Sequence, residues 1–174
     1  MKQLLLPLLA LALLTQCHKD GPDPATTLPA ATQTGANTFG CRVNGEVWLP
    51  KGNTGRANSV ALYDPDPKGA VLNIATYRID GRQEFMNLFC APITPQKHVF
   101  TIGLPPQTEA IGHYDGFYGD YANNPALTYL KGQINLTRVD EQAGVLAGTF
   151  WFSSVRRGST DTLKVTDGRF DYKL

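Results

Sequence analysis

The chain of 174 residues is long enough for one domain, and its hydrophobic content of 42% and charged content of 18% are those of an ordinary globular protein. Sixteen basic residues face fifteen acidic ones, and the formal net charge of +1 gives no basic surface of the kind that nucleic acid binding needs. Seventeen glycines and twelve prolines are typical of short strands joined by turns rather than of long helices.

The N-terminal segment carries Lys2 and then an apolar run from Leu4 to Leu14 that only Pro7 interrupts. A helix that spans a bilayer needs about 20 apolar residues, and this run is shorter. It has the length of the apolar core of a secretory signal. Residues 1–16 are therefore predicted to be a signal peptide, and the residues around Cys17 make it one of the lipoprotein type.

The apolar run ends at Leu14-Thr15-Gln16-Cys17, which resembles a bacterial lipobox. In a lipobox the cysteine thiol is linked to diacylglycerol, and cleavage then makes that cysteine the N-terminus. Gln16 is a departure, because a small residue usually precedes the cysteine. Since two or three acyl chains anchor a protein firmly where one does not, the resemblance implies attachment to a membrane through Cys17. The alternative is a soluble secreted protein whose Cys17 is free or paired.

The residues after the cysteine divide the chain into a linker and a domain. Residues 17–36 are rich in Pro, Thr, Ala and Gly and have no apolar period, which predicts a lipidated Cys17 followed by a flexible tether. Residues 37–174 alternate apolar and polar positions and are predicted to form a single β-domain.

Two hairpins are predicted where strand-like runs flank a turn dipeptide. TFGCRV leads through Asn44-Gly45 into EVWL, and AVLNIATYRI leads through Asp80-Gly81 into RQEFMNLFC. Both dipeptides are typical of type I′ turns, in which two residues need positive φ. Further predicted strands are Asn58–Tyr63, His98–Gly103, Gly132–Val139 and Gly144–Ser154.

The last segment, DTLKVTDGRFDYKL, alternates Phe170 and Tyr172 with charged residues. Asp167-Gly168 is either a hairpin turn or a bulge within one long strand, and both keep the same residues on the buried face. Residues 124–130 are predicted to form one short helical turn. With about nine or ten strands, the predicted fold is all-β, either an antiparallel β-sandwich or a small β-barrel.

Three stretches resemble a family of small Gram-negative cell-envelope lipoproteins: TFGCRVNGEVWLP, GQINLTRVDEQAGVLAGTFWFS and LKVTDGRFDYKL. That family carries a domain of unknown function with a Phe-Gly-Cys…Val-Asn-Gly…Trp start and a Gly-Thr-Phe strand followed by Thr-x-Gly-Arg-Phe-Asp at the end. The resemblance covers most of residues 38–174. It implies an exported, anchored, mainly β protein and brings no known activity.

Two cysteines remain in the predicted domain, Cys41 and Cys90. Export implies an oxidising compartment in which thiols commonly pair, so a disulfide between them is one prediction. The other is two buried thiols that pack as small apolar residues. His98 and His113 are expected at strand ends or in loops, and no motif for a metal or a nucleophile accompanies them.

The segment GHYDGFYGDYANNPALTY, residues 112–129, is dense in aromatic side chains. Rings set among Gly, Asp and Asn suit a sugar-binding surface, because rings stack on apolar sugar faces and short polar side chains bind hydroxyls. The candidate ligand-binding residues are Tyr114, Phe117, Tyr118 and Tyr121. Two alternatives stay open: a loop that folds its tyrosines over the end of the domain, and a calcium site at Asp115 and Asp120.

The sequence therefore predicts an outer-membrane lipoprotein of the cell envelope, facing the periplasm or the cell surface, with a binding or structural role and no catalysis. A carbohydrate-binding accessory lipoprotein that uses residues 112–129 is one alternative, and an envelope enzyme is the other. No catalytic residue, metal ligand or cofactor is predicted. The predicted partners are the membrane, through Cys17, and a glycan or small ligand, but not nucleic acid.

Overall fold

The computed structural model describes residues 27–103, 109–115, 127–156 and 160–174. These residues form ten β-strands, and no helix is found among them. The strands are β1 (Thr38–Val43), β2 (Glu46–Trp48), β3 (Ser59–Asp64), β4 (Ala70–Asp80), β5 (Arg82–Ile93), β6 (Val99–Gly103), β7 (Ala110–Asp115), β8 (Leu127–Asp140), β9 (Val145–Arg156) and β10 (Thr162–Lys173).

All ten strands belong to one sheet, in the order β2-β1-β10-β9-β8-β6-β7-β5-β4-β3. Neighbours run antiparallel except β6 and β7, which are parallel where Ile102 lies opposite Ala110. The sheet curls into a half-barrel. The prediction of an all-β fold with nine to ten strands is confirmed, and the single curled sheet is closer to the barrel than to the two-sheet sandwich.

Bulges help the long strands to curl. In β10 the register shifts between Val165 and Gly168, where Asp167 has a φ of 53°. An extra residue of this kind bends a strand and increases its twist. A Cβ on Gly168 would lie 2.5 Å from the carbonyl oxygen of Phe150, so the bulge requires glycine. The alternation in the sequence leaves a hairpin and a bulge equally open, and the structure has the bulge.

Both predicted hairpins form, with different turns. Asn44 and Gly45 between β1 and β2 have φ values of 51° and 91°, as a type I′ turn requires. Between β4 and β5 only Gly81 has a positive φ, of 73°, because Asp80 already pairs with Arg82 across the turn. The second hairpin is therefore tighter than its Asp-Gly dipeptide predicts.

Two elements differ from the sequence prediction. β7 lies partly in the tyrosine-rich segment and pairs with β5, although no strand is predicted there. The described part of residues 124–130 begins β8, where Tyr129 lies opposite Val155 and Leu130 opposite Ser154. The predicted helical turn is wrong because the edge of β9 offers these residues a ladder of hydrogen bonds.

The core lies on the concave side of the sheet and is built from alternate residues of each strand. Phe39 stacks on Phe150 with ring centroids 5.2 Å apart. A Cβ on Gly148 would lie 2.5 Å from the Cζ atom of Phe170, so glycine there leaves room for the ring. The largest fully buried side chains are Trp48, Phe100, Phe152, Phe170, Leu72, Ile74, Met86, Leu88, Ile102, Ile134, Leu146 and Val165.

The two ends of the sheet approach each other along a seam. Beyond β2, the Lys51 amide donates to the Tyr77 carbonyl over 3.1 Å, and the Ile79 amide donates to the Lys51 carbonyl over 2.8 Å. Further along, the hydroxyls of Ser59 and Tyr172 form a hydrogen bond between β3 and β10. A groove of 570 Å³ lies beside this second contact, so the seam is bridged but not continuously paired.

Candidate functional site

Glu84 is a buried carboxylate inside the half-barrel, with 4% of its surface exposed. The alternation of β5 places it on the same inner face as Met86 and Leu88. A charge in such a place is costly unless it is paired and hydrogen-bonded. Trp48 Nε1 donates to its Oε2 over 2.8 Å, and the Tyr114 hydroxyl donates to its Oε1 over 3.1 Å.

Two arginines complete the surroundings of Glu84. Arg82 Nη2 lies 2.6 Å from Oε1, and Arg78 Nε lies 3.6 Å from Oε2. Asp80 continues the network outward, 3.5 Å from Arg78 and 2.7 Å from Lys51, which lowers the pKa of Asp80 by hydrogen bonding and charge. Because both oxygens of Glu84 already accept from the protein, this arrangement suits joining β2, β5 and β7 rather than proton transfer to a substrate.

Tyr114 is the one predicted ligand-binding aromatic among the described residues. It is half-buried, packs against the core, and its ring centroid lies 6.4 Å from that of Trp48 in an edge-on arrangement. Burial, followed by the neighbouring charge of Glu84, raises the pKa of its hydroxyl. This placement differs from the exposed surface that the sequence predicts for Tyr114. Phe117, Tyr118, Tyr121 and Asp120 lie outside the described residues.

Cys41 and Cys90 are free, buried thiols, which is the second of the two alternatives predicted for them. Cys41 Sγ lies 3.8 Å from Met86 Sδ of β5, and Cys90 follows four residues later on that strand. The structure therefore has two separate thiols and no bond between them. Burial raises the pKa of Cys90 to about 12 and that of Cys41 further, so neither thiol is poised as a nucleophile.

The two histidines of the domain lie on different strands. His98 directly precedes β6, as predicted, and its carbonyl accepts from the Leu136 amide over 2.8 Å. His113 lies within β7 opposite Asn87, which differs from the predicted strand end or loop. No group of three or more His, Cys, Asp or Glu side chains suited to a metal ion occurs among the described residues.

Asp171 fastens the N-terminal segment to the outside of β10. It is 1% exposed and accepts hydrogen bonds from Thr32 Oγ1 over 2.6 Å, the Thr34 amide over 2.9 Å and the Gly35 amide over 2.7 Å. Burial alone would raise the pKa of this carboxyl, but the hydrogen bonds outweigh burial and lower it. We name residues 32–35 and Asp171 the Asp171 clamp.

Part of residues 17–36 is ordered by the Asp171 clamp, although the sequence predicts a flexible tether throughout this range. The structure describes 27–36 of that range, and these residues are held against the domain. Arg138 Nη1 donates to the Gln33 carbonyl over 2.6 Å, and Arg169 Nη1 donates to the Pro29 carbonyl over 3.4 Å. The ordered domain therefore starts before residue 37, where the sequence places its boundary.

Sequence reasoning does not single out Glu84 or Asp171. For Glu84 a signal exists, because the period of two in β5 aligns it with Met86, Leu88 and Cys90, whose apolar side chains mark the inner face. For Asp171 the alternation of the strand gives the wrong expectation. Asp171 lies between the inward Phe170 and Tyr172, so the sequence predicts that it faces solvent. Its burial comes from a segment more than a hundred residues away in the chain.

No protein-family model matches the chain, and neither a curated protein nor a solved structure matches it. The resemblance to a Gram-negative lipoprotein family therefore stays a prediction. Residues 1–16 and Cys17, on which the predicted export and lipidation depend, lie outside the described residues. Within the described ranges no helix is both long enough and apolar enough to cross a membrane.

Proposed function

We propose that the chain is an exported lipoprotein of the cell envelope, held in the outer membrane through Cys17, with a binding or structural role and no catalysis. The support begins with the apolar run that stops at Leu14 and the cysteine that follows within three residues. A signal peptide ending at residue 16 would leave the whole described domain in the mature protein.

The observation that carries the proposal is the path by which the chain enters the domain. The Asp171 clamp holds residues 32–35 on the outside of the sheet, and Thr27 at the start of the described chain is exposed. The buried core of the described residues is built from strand residues, of which Phe39 is the first in the chain. A lipid on Cys17 is thus compatible with a fully folded domain.

The interior favours a role without catalysis. Both oxygens of Glu84 accept from protein donors, and both thiols are buried with raised pKa values. General acid–base and nucleophilic catalysis need a side chain that reaches the reacting atoms, which these groups do not offer. Binding or mechanical roles need only a stable scaffold with an outward surface, which the half-barrel provides.

The proposal is tested by Cys17→Ser in the full chain expressed in a Gram-negative host. We expect the wild-type protein to enter the detergent phase on extraction of membranes and the variant to stay in the aqueous phase, because the acyl chains are missing. Cys90→Ala is the matched control, since its thiol is buried in the domain and carries no lipid in the proposal. Equal detergent partitioning of the Cys17→Ser variant and the wild-type protein would contradict the anchor.

A further inference from the structure

The outward side of β3, β4, β5 and β7 carries two rows of paired residues that are mostly apolar. In the first row Leu62 pairs with Asn73, Asn73 with Phe89, and Phe89 with Ile111. Leu62 is 62% exposed and Ile111 is 45% exposed. Large apolar side chains at the two ends of one row are therefore open to solvent.

The second row runs beside the first and pairs Val60 with Ala75, Ala75 with Asn87, and Asn87 with His113. Val60 is 39% exposed. We name the eight residues of the two rows the β3–β7 face. It contains no Asp, Glu, Lys or Arg.

A hydrogen bond joins the two asparagines of the β3–β7 face. Asn87 Nδ2 donates to Asn73 Oδ1 over 2.6 Å and also contacts the Ile74 carbonyl at 2.9 Å. Side chains that are already hydrogen-bonded lose little when water is removed from above them, whereas unpaired amides lose much. The bond between Asn87 Nδ2 and Asn73 Oδ1 therefore lowers the cost of dehydrating the centre of the face.

The path of the N-terminal segment relates this face to the proposed lipid. Thr27 and Leu28 line the same groove as Asn58 and Ser59, which directly precede Val60. The ten residues 17–26 can span at most about 35 Å. A lipid on Cys17 would thus be held within about 35 Å of Thr27, within reach of the first strand of the β3–β7 face.

We propose that the β3–β7 face lies against the bilayer that holds the lipid of Cys17. The proposal rests on the lipid anchor proposed above. The bilayer suits the face because apolar side chains gain by leaving water, and none of its eight residues is Asp, Glu, Lys or Arg. The exposed Asp64, two residues from Leu62 on the same side of β3, marks the edge of the face. The short tether adds to the contact, since a linked surface meets its partner at a high effective concentration.

The test uses tryptophan fluorescence of the lipidated full chain in phosphatidylcholine vesicles, with acyl chains that are plain or brominated. Bromine quenches an indole ring that it contacts. Leu62→Trp combined with Trp151→Phe places a probe on the β3–β7 face. The wild-type Trp151 is the matched control, because it is 40% exposed on β9, while Trp48 is buried and constant in both proteins. We expect at least about a twofold loss of fluorescence for the first protein and a much smaller loss for the wild type.

The outcomes separate the two proposals. Flotation of the protein with the vesicles reports the anchor alone, so failure to float overturns both proposals. Flotation with no quenching at position 62, or with equal quenching of the wild type, overturns only the β3–β7 contact. If position 62 is shielded from aqueous iodide but not quenched by bromine, and the chain sediments as a dimer, a second copy covers the face and the bilayer contact is wrong.

Discussion

The two halves of the sheet share one inner pattern but differ on the outside. On β8, β9 and β10, Ser153 lies between Lys131 and Lys164, an outer row of polar and cationic side chains. On the other half, Leu62 and Phe89 occupy the corresponding outward positions of the β3–β7 face. In both halves the alternation of residues along the strands identifies the buried core positions. The outward residues differ, and they indicate whether each half contacts water or an apolar partner.

The chain covers the polar half itself. Residues 29–35 lie over β10 and its neighbours, where they are held by Asp171, Arg138 and Arg169. Among the described residues, nothing comparable lies over Leu62. Residues 29–35 therefore cover the polar half, which water could solvate without them. The apolar half has no such cover among the described residues, so it is the candidate for contact with a partner.

The largest expected effect on stability comes from replacing a tryptophan on the inner face of the sheet and comparing it with one on the outer face. Trp48 is 1% exposed and donates to Glu84, whereas Trp151 is 40% exposed. We expect Trp48→Ala to lower the free energy of unfolding by about 3–5 kcal/mol, since it leaves a cavity. Trp151→Ala should change it by about 0.5 kcal/mol or less. Urea unfolding followed by circular dichroism measures both, and equal losses would contradict the assignment of the two faces.

The next effect concerns the segment on the polar half. Asp171→Asn replaces a charged acceptor with an amide that offers one oxygen, so we expect a loss of about 1–3 kcal/mol in the free energy of unfolding. Cleavage of residues 27–36 by protease should also become faster, because the clamp is weakened. Asp167→Asn is the control, since that carboxylate is exposed and should matter by about 0.5 kcal/mol or less. Slow cleavage in the Asp171→Asn protein would mean that other contacts hold the segment.

The Asp171 clamp also predicts a pH dependence. The folded protein lowers the pKa of Asp171, so its contribution is fully present above the unfolded pKa of about 3.9. It is lost as the pH falls through the lower, folded pKa. The difference in unfolding free energy between the wild type and Asp171→Asn should therefore shrink below about pH 4. If the difference in unfolding free energy stays constant from neutral pH down to about pH 3, the charge of Asp171 in the clamp is not its cause.

The smallest expected effect is on the apolar half. Leu62→Ser should change the unfolding free energy by about 0.5 kcal/mol or less, because Leu62 is largely exposed. Leu72→Ala, on the inner face of β4, should cost about 2–5 kcal/mol. Urea unfolding at two protein concentrations is the measurement. A loss at Leu62 that grows with concentration would indicate that copies of the chain bury this residue in each other.

Much of the fold could be predicted because most of the strands alternate apolar and polar residues. Phe170 and Tyr172 mark the inner face of β10 from the sequence, and Asn44-Gly45 marks the first turn. The bulge at Asp167 could not be distinguished from a hairpin, since both keep the same side chains inside. β7 could not be predicted, because its short run is embedded among glycines and aromatic residues and is stabilised by pairing with β5.

Less of the candidate site could be predicted, because its contacts join residues that are far apart in the chain. Asp171 meets Thr32 across more than a hundred residues, and Glu84 meets Trp48 from another strand. Local patterns give the side of a strand on which a residue lies but not what covers it. The contact between Cys41 of β1 and Met86 of β5 likewise joins residues that are far apart in the chain.

The pairing of β1 with β10 makes one part of the sheet depend on both ends of the chain. Thr38 lies opposite Asp171, so the first strand has no neighbour on that side until the last residues of the chain have been delivered. The local hairpins β1–β2 and β4–β5 need no later strand, whereas the contact between β1 and β10 forms only after the last residues are made. That closure between distant parts of the chain is expected to be the slow step of folding.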